Sequence, residues 1–120
     1  YLVEGEDKLQ QRVKHVIANH SNATFFTSGI VRLECLVGAL KQADKELADK
    51  YRQLLSATIS LPLTNEVCER AAEFRAVHGL LVPDALHLAI AESGCDELWT
   101  SDAHFKRVMG ANEIKIRLID

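Results

Sequence analysis

At 120 residues, with 48% hydrophobic and 26% charged residues, the chain has the size and composition of one globular domain spanning residues 1–120. Its formal net charge of −3 excludes a general nucleic-acid coat protein, because such proteins attract nucleic acid through excess positive charge. The charge is compatible with an enzyme that neutralises its own acidic residues with metal. No stretch approaches the roughly 20 apolar residues of a membrane helix. The three cysteines are widely spaced, which predicts free, largely buried thiols in a cytoplasmic protein.

Helices and short strands alternate along the first half of the chain. Helical spacing of apolar residues predicts an amphipathic helix over roughly residues 7–20. Residues 23–27 are rich in β-forming side chains and predict a strand that ends at Ser28. Apolar residues between positions 30 and 40 mark a second helix, and Asp44 is the predicted N-cap of a third. The predicted inward face of this third helix consists of Leu47, Tyr51, Leu54 and Leu55.

The alternation continues through the second half. The sequence predicts strands over residues 59–63, 97–101 and 114–118, and helices over residues 64–78, 83–93 and 103–109. Strands alternating with helices predict a three-layer α/β/α domain with a mainly parallel sheet. Ligands in such sheets bind beyond the carboxyl ends of the strands, so functional residues are expected at that edge.

Two aspartates lie beside predicted strand ends. Asp102 directly follows the strand over residues 97–101, although an aspartate there also suits the N-cap of the next helix. Asp84 opens a helix that is otherwise almost entirely apolar. Its carboxylate either interacts favourably with the helix dipole or, because it borders a buried core, pairs with or coordinates a cation. His87, one turn later, either orients Asp84 or is a core histidine whose hydrogen bonds are satisfied.

Glu34 is the third candidate, because its helix begins where the strand over residues 23–27 ends. The alternative is a simple ion pair with Arg32 or Lys41. Three converging carboxylates repel one another unless a cation compensates their charge. Magnesium or manganese suits such an all-oxygen shell, and these ions promote phosphodiester hydrolysis. Glycoside hydrolysis also uses two carboxylates but does not require three at one edge.

Three stretches together resemble the PIN-domain nucleases, especially the VapC-type toxins of toxin–antitoxin pairs. They are TSGIVRLE at residues 27–34, PDALHLA at 83–89 and LWTSDAHF at 98–105. The resemblance implies an RNA-cleaving enzyme that uses magnesium or manganese, forms a homodimer and is inhibited by a cognate antitoxin. It also implies that Glu34, Asp84 and Asp102 are metal ligands and catalytic acids, and that Ser28 and Thr100 support them.

The N-terminus departs from the family pattern. Relatives carry a first acid at the end of an N-terminal strand, which is the central strand of the sheet, and residues 1–5 instead resemble the end of the small helix that follows it. We therefore expect that strand upstream of Tyr1. The absence of the first acid from this sequence also leaves open the alternative of a degenerate, non-catalytic module that binds RNA or a protein partner. A metal-dependent DNA nuclease that acts on flap structures is a further enzymatic alternative.

Basic residues are scattered along the chain and mostly suit solvated helix faces. Arg32, Lys106 and Arg107 lie nearest in sequence to the predicted acidic edge. We therefore predict that these three side chains contact phosphate groups of the substrate.

Overall fold

A computed structural model describes residues 2–3, 18–20, 22–100, 105 and 115–118. The predicted helices over residues 7–20 and 103–109 lie almost entirely outside this part of the chain. The described elements, in chain order, are β1 (Leu2–Val3), β2 (Phe26–Ser28), α1 (Gly29–Lys41), α2 (Lys45–Ser56), β3 (Ile59–Leu61), α3 (Asn65–His78), α4 (Val82–Gly94), β4 (Glu97–Thr100) and β5 (Lys115–Leu118).

All described strand pairs are parallel, as the alternation of elements predicts. Strand β2 pairs with β3, with Phe26 opposite Ile59, and β4 lies between β1 and β5. Strand β1 also lies against β2, so it stands between the two groups of strands. The expectation that residues 1–5 end a helix is wrong for Leu2–Val3, because β4 offers unpaired backbone groups that this apolar pair satisfies.

Local capping chemistry fixes where the helices begin and end. Asp44 accepts a hydrogen bond from the amide of Leu47 at 3.0 Å, and Thr64 caps α3 in the same way. Gly79 ends α3 in the left-handed conformation, with φ at 67°, where a side chain would be strained. These caps confirm the predicted boundaries. Strand β2 ends at Ser28 as predicted but begins at Phe26, three residues later than expected.

Helix α4 forms the centre of the core. Its residues from His87 to Ala91 are all buried, as the almost continuous apolar run predicts. Phe74 of α3 and Leu98 of β4 are buried in the same core. Helix α4 is therefore held by neighbours along most of its length, and its N-terminal turn has a fixed position.

Helix α1 presents apolar residues on two faces. The buried face is formed by Val31, Cys35 and Ala39, whose small side chains allow close packing. Leu33 and Leu40, which helped to predict this helix, are 64% and 58% exposed. The predicted inward face of α2 is confirmed, since Tyr51 and Leu55 are buried.

The cysteines are free, as expected, but they are not uniformly buried. Cys35 is buried, Cys95 is half-buried and Cys68 is exposed on α3. Burial raises the pKa of the Cys95 thiol, which disfavours its reactive thiolate form. Among the described helices, none has the length and apolar composition needed to cross a membrane.

Candidate metal centre

The site begins where β2 turns directly into α1. Ser28, which is only 3% exposed, ends the strand and caps the helix by accepting a hydrogen bond from the amide of Val31 at 3.3 Å. Because Ser28 sets the first turn of α1, it also fixes the direction in which the second turn points. Glu34 lies in that second turn and is half-buried.

Glu34 contacts His87 across the interface between α1 and α4. The distance from Glu34 Oε1 to His87 Nε2 is 2.6 Å, and the two residues are 53 positions apart in the chain. The side chain of His87 is 1% exposed, while that of Glu34 is 29% exposed. The contact therefore joins a fixed core residue to a carboxylate that reaches solvent. It excludes the simple interpretation that Glu34 serves only to pair with Arg32 or Lys41.

Asp84 lies on the same end of α4 as His87. It is in the first turn of the helix, is half-buried, and follows an N-cap residue, Leu81, that provides no side-chain hydrogen bond. Residues three apart in a helix are neighbours on one face, with Cβ atoms roughly 5–6 Å apart. Asp84 therefore lies one turn before His87 on α4, and His87 is the residue that Glu34 contacts.

Thr100 ends β4 and is completely buried. The chain reverses direction between α4 and β4 at Cys95 and Asp96, so the N-terminal turn of α4 lies toward the end of the sheet where β4 finishes. Ser28 ends β2 and starts the helix that bears Glu34. Ser28 and Thr100 therefore each end a strand, and Glu34 lies in the helix that begins directly after Ser28.

The remaining predicted site residues are placed differently. Asp102, Lys106 and Arg107 lie outside the described residues, and Arg32 is exposed on α1. Within the described part of the chain, no group of three or more His, Cys, Asp or Glu side chains is arranged to hold a metal ion. Two partly exposed carboxylates do suit a magnesium ion, which commonly keeps several waters and binds one or two carboxylates. The donor set thus fits a hard divalent cation.

His87 is the residue whose contact was not predicted. The sequence indicated either an orienting partner for Asp84 or a core histidine with its hydrogen bonds satisfied. The structure shows a buried histidine whose Nε2 atom contacts Glu34. A single polar residue inside an apolar helical run was the available signal. It showed that His87 needed a partner, but the partner lies in another helix and is set by tertiary packing.

A parallel α/β domain with carboxylates at its strand ends belongs to the class that binds ligands beyond the carboxyl edge of the sheet. The PIN domain family model matches residues 1–111, and the chain belongs to this family. The predicted three-layer α/β/α fold class is confirmed by this match. The family consists of nucleases.

Two solved structures are similar to the chain. A toxin–antitoxin complex from Klebsiella pneumoniae has 29% identity and a TM-score of 0.59, with 72% of this chain and 68% of that chain covered. VapBC-5 from Mycobacterium tuberculosis, a member of the VapBC family of toxin–antitoxin systems, has 21% identity and a TM-score of 0.63, with 78% and 80% covered. This second likeness is one of fold. A comparison with curated proteins found no match.

Proposed function

We propose that the chain is a metal-dependent endoribonuclease and the toxin component of a toxin–antitoxin pair. The observation that carries this proposal is the contact of the predicted acid Glu34 with His87, on the helix that also bears Asp84, within a PIN domain. Magnesium or manganese is the proposed cofactor. RNA is the proposed substrate.

Each residue of the site has a proposed part in hydrolysis. Asp84 and Asp102 would hold the metal, and Glu34 would act as a third ligand or orient the attacking water. Ser28 and Thr100 would keep the strand ends and nearby polar groups in place. When bound, the metal lowers the pKa of its water and stabilises charge on the phosphodiester in the transition state.

The proposed phosphate contacts come from three basic residues. Arg32 is exposed on α1 and lies two positions before Glu34 in the sequence. Lys106 and Arg107 are proposed on sequence alone. Such contacts position the nucleic acid without reading its sequence, so they predict cleavage of more than one RNA.

The proposed partners are an antitoxin and a second copy of the chain. The antitoxin is supported by the structural likeness to the Klebsiella pneumoniae complex. The face of α2 that includes Tyr51 and Leu55 is buried in the core, so it cannot also form a homodimer interface. The exposed residues of α1, namely Leu33, Val37 and Leu40, provide an alternative apolar surface. A cytoplasmic location stays a prediction.

Cleavage of RNA tests the proposed function directly. The chain is incubated with single-stranded and structured RNAs in magnesium or manganese, and the products are resolved on denaturing gels. We expect cleavage that EDTA abolishes and that Asp84→Asn reduces by at least about 100-fold, since removing a charge-stabilising group typically costs that much. Cleavage that survives EDTA, or that is undiminished in Asp84→Asn, contradicts the proposal.

The matched control is Asp49→Asn. Asp49 is an exposed aspartate on α2 that pairs with Arg52, far in sequence from the proposed ligands. The same change of charge should leave cleavage unaltered there. RNA binding without any cleavage, in either metal, would instead favour a non-catalytic binding module.

A further inference from the structure

The contact between Glu34 and His87 does more than join two helices. We infer that His87 is a positioning residue, which holds the carboxylate of Glu34 in the orientation that binds the divalent cation. This inference rests on the proposed function, because it concerns the same metal site. His87 itself would touch neither the metal nor the RNA.

The donor in this hydrogen bond is the histidine. An ionised carboxylate can only accept hydrogen bonds, so the Nε2 atom of His87 carries the hydrogen that Glu34 Oε1 accepts at 2.6 Å. Only Oε1 of Glu34 takes part in this contact. Because His87 holds Oε1, the position of Oε2 is fixed as well. This arrangement favours binding of a cation through Oε2 alone.

The two side chains differ in how firmly they are held. His87 is 1% exposed and lies in the run of buried residues on α4, so its ring has a fixed position. Glu34 has three rotatable bonds and reaches solvent, so ordering it costs conformational entropy. A hydrogen bond from a fixed donor selects one rotamer before the cation arrives. The protein therefore needs less reorganisation when the metal binds.

A histidine also suits this task better than a lysine or arginine. An N–H group on an imidazole can hold the carboxylate without requiring a full positive charge next to the metal. A lysine or arginine would place a permanent charge beside the cation and weaken its binding. The ion pair between Arg70 of α3 and Glu92 of α4 shows the contrasting arrangement.

Manganese binding without RNA tests the inference. Free Mn²⁺ is counted by electron paramagnetic resonance in titrations of the wild-type chain, His87→Leu, Glu34→Gln and the double variant. We expect His87→Leu to weaken Mn²⁺ binding by about 10-fold or more, as loss of a partner that orients a ligand typically does. In the Glu34→Gln background the same change should alter affinity by less than about twofold. An equal loss in both backgrounds, or no loss in either, overturns the inference.

A conservative variant separates positioning from packing. The amide of His87→Gln can still donate a hydrogen bond to Glu34, so its Mn²⁺ affinity should stay closer to that of the wild type than His87→Leu. If Glu34→Gln lowers Mn²⁺ affinity below the measurable range, the comparison of His87→Gln with His87→Leu alone decides between positioning and packing. Equal affinities for His87→Gln and His87→Leu, both below the wild type, would indicate a packing role and overturn the inference.

Arg70→Met provides the structural control, because it breaks another interhelical contact on α4 without touching Glu34. It should lower thermal stability but leave Mn²⁺ affinity unchanged. The outcomes also separate the two proposals. Mn²⁺ binding that depends on His87, without RNA cleavage, contradicts only the proposed function. Metal-dependent cleavage with unaltered Mn²⁺ binding in His87→Leu contradicts only the positioning role.

Discussion

Two polar contacts that helix α4 makes with other helices differ in chemistry. In its N-terminal half, His87 contacts Glu34 of α1, and near its C-terminal end, Glu92 contacts Arg70 of α3. Both contacts measure 2.6 Å. Arg70 binds both oxygens of Glu92, at 2.6 and 3.2 Å, and also reaches Glu73. The histidine binds a single oxygen of Glu34.

The difference is the one expected between a structural contact and a contact at the proposed ligand site. Arg70 also stacks over the ring of Phe74, with its guanidinium carbon 4.3 Å from the ring centroid, so its charge is used within the fold. Its hydrogen bonds with Glu92 and then Glu73 raise the pKa of Arg70 above its ordinary value. Glu34 keeps an oxygen for a ligand at the strand ends, whereas both oxygens of Glu92 are engaged by one cation.

The largest expected effect is on activity, at the His87 end of α4. Glu34→Gln keeps the shape of the side chain and an oxygen that can accept from His87, but it removes the charge. We expect kcat/KM for RNA cleavage to fall by about 100-fold, or about 2.7 kcal/mol, with the thermal midpoint nearly unchanged. A variant that loses stability in parallel with activity would mean that this contact is structural, like that of Arg70.

The next effect is on stability, at the Glu92 end. Arg70→Met keeps an apolar stem over Phe74 but removes the charged hydrogen bonds to Glu92 and Glu73. Because the side chain of Arg70 is 34% exposed, solvent screening reduces the loss, and we expect the free energy of unfolding to fall by about 1–2 kcal/mol. Urea denaturation measures this change. A loss of RNA cleavage by the folded variant would remove the distinction between the two ends.

The smallest effect is expected where an ion pair is exposed on both sides. Arg52 and Asp49 lie 2.9 Å apart on α2, with side chains 49% and 71% exposed. Arg52→Gln should change the free energy of unfolding by less than about 0.5 kcal/mol, because water already solvates both charges. If urea denaturation gave a loss as large as that of Arg70→Met, short distance rather than burial would decide the strength of these pairs.

Much of the fold follows from local chemistry that can be read along the chain. The caps at Asp44 and Thr64 and the left-handed Gly79 depend on a few neighbouring residues, so the sequence predicts them correctly. The burial of α4 also follows, because its apolar run leaves little surface for water. Among the site residues, the position of Ser28 at the end of β2, directly before the helix that bears Glu34, was predictable from the order of elements.

The parts that could not be predicted depend on contacts between distant residues. Helix α1 carries apolar residues on two faces, and only packing decides that Val31 and Cys35 are buried while Leu33 is exposed. The pairing of Glu34 with His87 spans 53 positions, and no local spacing encodes it. The sequence identified the acid and the histidine separately. It did not identify them as partners.

The central proposal is that Glu34 and Asp84, together with Asp102, bind one divalent cation. Mn²⁺ titration followed by electron paramagnetic resonance tests it most directly, with wild type, Glu34→Gln, Asp84→Asn and the double variant compared in the absence of RNA. The account predicts weaker binding in each single variant and loss of that binding in the double variant. Wild-type binding in the double variant would contradict it.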